Sequence, residues 1–159
     1  MTRSIICAFA LLFGTSIIAQ TNIDLGGLSA DPTAPVEVSA DSLTVDQDTG
    51  TAVFSGNVLI GQGDLRMSAA QVRVVYDGDT GDIARLVASG GATFVTATEA
   101  AEAQEADYDL TSGTLTLRGE VLLTQGASAL SADEMVVNLN DGTAQMTGRV
   151  RTTFQQGGN

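Results

Sequence analysis

Residues 56–69 read GNVLIGQGDLRMSA and residues 119–132 read GEVLLTQGASALSA. Both follow Gly-x-Val-x-(Ile/Leu)-x-Gln-Gly, and both reach an apolar residue, Ser and Ala 11 positions after the leading Gly: Gly56 to Met67 and Gly119 to Leu130. Apolar and polar positions alternate along each phrase, which is how a half-buried strand reads. A β-phrase that recurs means one unit stacked on copies of itself.

The unit extends upstream of the phrase. Gly56, Gly90, Gly119 and Gly148 lie 34, 29 and 29 residues apart, and a turn and a short strand precede each. These are DQDTGTAVFSG (46–56), DGDTGDIARLVASG (77–90), LTSGTLTLRG (110–119) and LNDGTAQMTG (139–148). Three of the four set two glycines 6 apart, while the second is longer by three, which predicts a longer strand or a bulge. Asp-x-Thr-Gly, Ser-Gly and Asn-Asp-Gly are turn signals, because Gly accepts positive φ and Asx side chains bond the nearby backbone. The pattern is all-β.

One irregularity recurs at equivalent places. Val36, Val38 and Ala40 alternate, but the next apolar pair is Leu43 and Val45. Met67 and Ala69 give way to Val72, Val74 and Tyr76, and Leu130 and Ala132 to Met135, Val137 and Leu139. A slip of one residue turns side chains to the opposite face unless a bulge or bend corrects it. Corners near Ala40, Ala69 and Ala132 follow, where each strand bends from one sheet to a facing one. Residues 97–106 (ATEAAEAQEA) read as a helix on propensity. Their place between the Gly90 unit and the strand at Tyr108 favours an extended segment, because the repeat has to keep stacking.

Residues 1–19 carry Arg3 and then an apolar or small run from Ser4 to Ala19. That run is short for a bilayer span and fits a secretory signal peptide cleaved after Ala19. Residues 20–35 (QTNIDLGGLSADPTAP) have no periodicity and hold both prolines, so they read as a flexible linker. The β-domain is expected over residues 36–154, with 155–159 as a disordered tail. Without residues 1–19 the chain has no Cys, His, Lys or Trp, and six arginines face 19 acids, a net charge of −13. Thiolate chemistry, a Ser-His-Asp triad and an ordinary zinc site are excluded, and no catalytic residue, metal or cofactor is expected. Nucleic acid is disfavoured, since binding it needs a basic surface. The segment Asp77-Gly-Asp79-Thr-Gly81-Asp82 is read as a plain turn, because a calcium loop wants Asp or Asn at Gly81. Arg66, Arg73, Arg85, Arg118, Arg149 and Arg151 alternate with apolar residues and belong on solvent-facing strand positions.

The run PVEVSADSLTVDQDTGTAVFSGNVLIGQGDLRMSAAQVRVVY (35–76) resembles the OstA-like family, and ADYDLTSGTLTLRGEVLL and LSADEMVVNLNDGTAQMTGRV look like further turns of the same repeat. The resemblance covers Val36–Val150. It implies an antiparallel sheet rolled into an open β-jellyroll, or β-taco, and a non-enzymatic periplasmic role in lipopolysaccharide transport. Acyl chains would lie between the sheets, against Phe54, Val58, Ile60, Met67, Val74, Tyr76, Phe94, Leu115, Leu117, Val121, Leu123, Met135, Val137 and Met146. Partners would stack on the edge strands through Val36, Val38, Leu43, Val45, Met146, Val150 and Phe154. The implied partners are an LptC-like inner-membrane protein, an LptD-like outer-membrane translocon, and further copies joined head to tail. An LptC-like anchored subunit and a structural β-repeat protein are the alternative readings.

Overall fold

The computed structural model describes residues 22–24, 31 and 33–153. They form eleven antiparallel strands: β1 (Asn22–Asp24), β2 (Val36–Ser39), β3 (Ser42–Asp46), β4 (Thr51–Gln62), β5 (Leu65–Tyr76), β6 (Ile83–Val95), β7 (Glu99–Asp109), β8 (Thr114–Gln125), β9 (Ser128–Asn138), β10 (Thr143–Thr147) and β11 (Arg151–Thr153). Their order in the sheet is β1-β10-β9-β8-β7-β6-β5-β4-β2, with β3 also on β4 and β11 also on β9. The sheet does not close on itself. β2 and β3 are two halves of one bent strand lying along β4, and β10 and β11 are two halves lying along β9. Residues 99–106 are extended within β7, as the repeat requires and against their helix propensity. The long second unit holds a bulge: Val75 pairs with Arg85 and Tyr76 with Ile83, leaving Ala84 over.

A row of corners crosses the sheet from edge to edge. On the even strands it is a Gly-x pair with positive φ at both residues, Gly56-Asn57, Gly90-Gly91, Gly119-Glu120 and Gly148-Arg149. Opposite each pair a neighbouring odd strand spends a single residue: Ala70 faces Gly56-Asn57 and Gly90-Gly91, and Asp133 faces Gly119-Glu120. Two residues against one is a bulge, and it bends the sheet. The count also explains the slip in the sequence. An even strand advances by four between inward residues across its corner (Phe54 to Val58), and an odd strand by three (Ala69 to Val72). Both return to the inner face. The corners thus fall beside Ala40, Ala69 and Ala132, with a fourth at Ala103-Gln104 in β7. At the two outer corners Asp41 N–H donates to Gly56 O and Asp133 N–H to Gly148 O, each at 2.9 Å.

The row divides the sheet into two leaves. Leaf I holds β2, β11 and the halves of β4–β9 that meet at the turns 63–64, 96–98 and 126–127. Leaf II holds β1, β3, β10 and the halves that meet at the turns 47–50, 77–82, 110–113 and 139–142. The leaves share one core. Val58, Ile60, Met67, Phe94 and Leu123 of leaf I pack with Val72, Val74, Leu86, Leu115 and Met135 of leaf II. Large and small residues interdigitate: Ala101 lies between Phe94 on β6 and Leu123 on β8.

Carboxylates and amides set the leaf II turns. Asp46 Oδ1 accepts from the N–H of Asp48 (2.9 Å) and Thr49 (3.2 Å), Asp77 Oδ1 from Asp79 (2.8 Å) and Thr80 (3.0 Å), and Asp109 Oδ1 from Ser112 (2.9 Å). Asn138 Oδ1 accepts from Asn140 N–H at 3.0 Å. The three carboxylates therefore serve the turns they begin. The six arginines are exposed on the outer face, as their alternation predicts. Arg118 Nε donates to Glu134 at 2.9 Å, and Arg85 holds Asp107 through both carboxylate oxygens.

Outside the described residues lie the expected signal peptide (1–19), the tail (155–159) and Phe154. Within the segment read as a flexible linker, Asn22–Asp24 instead form β1, registered on β10 with Ile23 opposite Ala144. Three residues with no periodicity give no strand signal; an unfilled sheet edge supplies the hydrogen bonds that the pattern does not announce.

Two outcomes follow for stability. A Cβ on Gly90, at φ +78°, would stand 2.8 Å from the Cβ of Ala70, whereas one on Gly126, at φ +57°, meets nothing within 4 Å. Gly126→Ala should cost about 1 kcal/mol for the left-handed backbone alone, and Gly90→Ala about 2–4 kcal/mol once the overlap is added, read from urea unfolding midpoints. The turn carboxylates Asp46 and Asp77 have pKa values below the ordinary 3.8, because backbone N–H groups bond their charged forms. A depressed folded pKa contributes stability that is complete above the unfolded value and is lost as pH falls through the folded one. The thermal midpoint should therefore hold steady down to the carboxylate range and drop below it, and Asp77→Asn should flatten part of that drop.

Candidate functional site

The candidate site is the interior between the leaves, together with the edges where that interior ends. Its walls are the inward residues of each strand, fixed there by the alternation on either side of the corners. Of the residues expected to line it, Val58, Ile60, Met67, Val74, Phe94, Leu115, Leu117, Val121, Leu123, Met135 and Val137 are buried and face one another. Phe54 and Met146 are half-buried at its margins. Tyr76 is not brought in: it lies 38% exposed at the end of β5, beyond the pairing irregularity that follows Val75.

The interior is tightly packed towards the leaf I rim. The void bounded by Val36, Ile60, Gln62, Leu65, Met67, Leu86, Phe94 and Tyr108 measures about 10 Å³, the least that holds one water. Along the β2 edge a cleft of about 760 Å³ lies beside Val38, Leu59, Ile60 and Met67.

Polar side chains gather at the leaf I rim. Gln62 and Glu99 are buried there at the ends of β4 and β7. Gln125 Nε2 donates to Glu99 Oε1 at 2.6 Å. Tyr108, on leaf II, donates its hydroxyl across the interior to Gln62 Oε1 at 3.0 Å, and Gln62 Nε2 donates to Ala34 O at 3.3 Å. Burial raises the Tyr108 pKa, so the hydroxyl stays a donor. The sequence reading missed this cluster. Its signal was present, since Gln62 and Gln125 are the Gln of the two repeated phrases.

The two edges differ. At the β2/β3 edge, Val36 and Val38 are half-buried, while Leu43 and Val45 are 53% and 59% exposed. Leu43 faces Phe54 and Val45 faces Ala52 in register, so both stand on the inner side of leaf II with no leaf over them. At the other end β11 pairs with β9 and β10 is covered by β1, while Val150 between them is 49% exposed. Arg149 is held within the chain. It donates to Asp133 at 2.6 and 2.9 Å, which keeps the Asp133 carboxyl below the ordinary range and raises the guanidinium.

The comparisons with known proteins agree with this architecture. Residues 37–156 match the model of the family described as LptA/(LptD N-terminal domain) LPS transport protein. An uncharacterized protein of Rhizobium meliloti (strain 1021) is 27% identical over 146 residues, covering 86% of this chain and 78% of that one. Among solved structures, LptH of Pseudomonas aeruginosa, the LptA-homologous periplasmic component of its lipopolysaccharide transport device, superposes with a TM-score of 0.72. That match has 18% identity and covers 80% of this chain and 99% of LptH. The chain shares the fold of that structure, and it belongs to the LptA/LptD N-terminal domain family of lipopolysaccharide transport proteins.

Proposed function

We propose that this protein is a periplasmic carrier that holds lipopolysaccharide acyl chains between its leaves and passes them edge to edge along a chain of like domains. One observation carries the reading: the inner face is apolar from Val36 and Leu43 at one edge to Met146 at the other, and at the β2/β3 edge it runs out to an unpaired strand. Exposing an acyl chain to water costs about 0.8 kcal/mol per CH₂, so roughly 10 kcal/mol for a chain of about 12 carbons. A groove continued from protein to protein avoids that cost at every step. Unpaired edges supply the joint, since an open strand is a template for another.

An edge meeting the opposite edge is a heterologous contact that does not close, so it makes a line with two different ends. One end would meet an LptC-like protein of the inner membrane and the other an LptD-like translocon, with further copies between them. In this reading the tight packing between the leaves sets the order of events. The leaves part, the Tyr108–Gln62 bond gives way, and Phe54 and Leu43 are the first apolar groups a chain meets.

Two experiments test the reading. Purified protein should bind lipid A-type ligands at micromolar concentration. Phe54→Asp, at a half-buried margin, should weaken binding at least tenfold while the circular dichroism of the sheet persists, since a charge against an acyl chain carries a penalty well above about 1.4 kcal/mol. No measurable affinity in the unaltered protein sinks the proposal. Val38→Pro or Val150→Pro should abolish binding to the flanking transport components while the circular dichroism of the sheet persists. Unchanged binding in both variants would remove the bridge.

A further inference from the structure

The seat that β1 takes on β10 is set by the repeat. β10 begins Thr143-Ala144-Gln145-Met146 and the first half of β4 begins Thr51-Ala52-Val53-Phe54, each closing on its corner glycine, Gly148 or Gly56. Every complete odd strand bonds an even strand on both flanks at one offset. Val74 faces Ala52 on one side and Leu86 on the other, and Val137 faces Leu115 and Ala144. In β3 the equivalent residue is Val45, which faces Ala52 on one flank, while the other flank is the open edge. Continued past β10, the series would set the Val45 of a second copy on Ala144, its Asp46 on Thr143 and its Thr44 on Gln145.

Those positions are already taken. β1 sets Ile23 on Ala144, Asp24 on Thr143 and Asn22 on Gln145. Asn-Ile-Asp stands where Thr-Val-Asp would, with the same classes of residue in the same order, register and antiparallel direction. We propose that β1 is a placeholder in cis for the β3 of a second copy, and that it must leave β10 before two copies join. The inference rests on the edge-to-edge reading above and adds to it a built-in guard.

The competition favours the second copy once its concentration suffices. β1 holds three register positions, whereas β3 offers five, Ser42–Asp46, and runs on through β2 towards β11. Joining would also cover Leu43 and Val45, both more than half exposed in the lone chain. Until then β1 denies the β10 edge to unrelated strands, which is what an exported chain with an open sheet needs.

The test locks the guard in place and then removes it, in the full chain carrying Cys7→Ser. Residues directly opposed in an antiparallel pair lie roughly 4.5–5.5 Å apart at Cα, within disulfide range. Ile23→Cys with Ala144→Cys should therefore oxidise within one chain. Sedimentation against concentration should show the oxidised form monomeric where the reduced form associates. Ile23→Pro should shift half-association about tenfold lower if β1 fills its seat about nine-tenths of the time, because the competent fraction divides the apparent affinity. In that background Val45→Cys on one copy should crosslink to Ala144→Cys on another. Failure of the Ile23–Ala144 disulfide to form, equal association of oxidised and reduced chains, or an Ile23→Pro chain that stays monomeric would each overturn the inference. Lipid A binding, measured on the same samples, reports separately on the carrier reading and survives if only the guard is wrong.

Discussion

The structure hangs on a count of two residues against one. Wherever an even strand passes its Gly-x pair, the odd strand beside it has spent one residue fewer, and the sheet can satisfy both only by folding. Gly148 shows how tight the arrangement is: a Cβ there would lie 2.7 Å from the Cβ of Asp133, so the corner accepts no side chain. Everything else depends on this fold line. It turns a single long meander into two facing leaves, sets inward residues in phase on both, and gives strands β4–β10 one shared core with β2 packed against it.

The same line explains where polar groups are allowed. At three of the four corners the even and odd strands are tied by side chains beside the glycine: Asn57 to Asp41 at 2.8 Å, Gln104 to Glu120 at 2.7 Å, and Arg149 to Asp133 at 2.6 Å. Each pair is 16 residues apart in sequence. At the remaining corner Gly91 and Ala70 have nothing to pair. The pairs are exposed, so solvent and salt weaken them, and their worth is in holding the bend rather than in raw stability.

Much of the fold was legible because its signals are local. The glycine spacing gave the unit, the slips after Ala40, Ala69 and Ala132 gave the corners, and alternation gave most of the inner face. The corner at Ala103 was hidden for a physical reason. Its flanking inward residues are Ala103 and Ala106, and alanine set among Glu102, Gln104 and Glu105 signals helix propensity more strongly than it signals a strand's inner face, so the slip between them went unread. Tyr76 was misplaced because alternation carries no information about where a strand stops being covered. β1 was invisible because an edge recruits three residues through backbone bonds that no side-chain pattern records. The rim cluster could have been found, since a Gln repeated at the inward end of two phrases is a polar residue where the alternation asks for an apolar one.

From β2 to β11 every strand beyond the bent edge pieces pairs with its own neighbour along the chain, and each hairpin brings its own corner. Length is therefore modular. Adding one hairpin with one Gly-x pair leaves the cross-section untouched and lengthens the trough by two strand spacings, about 10 Å. Removing one shortens it by the same step without unpairing anything else. A lineage built on this plan can change the span of its interior by duplicating or losing about 30 residues at a time, with no redesign of the walls.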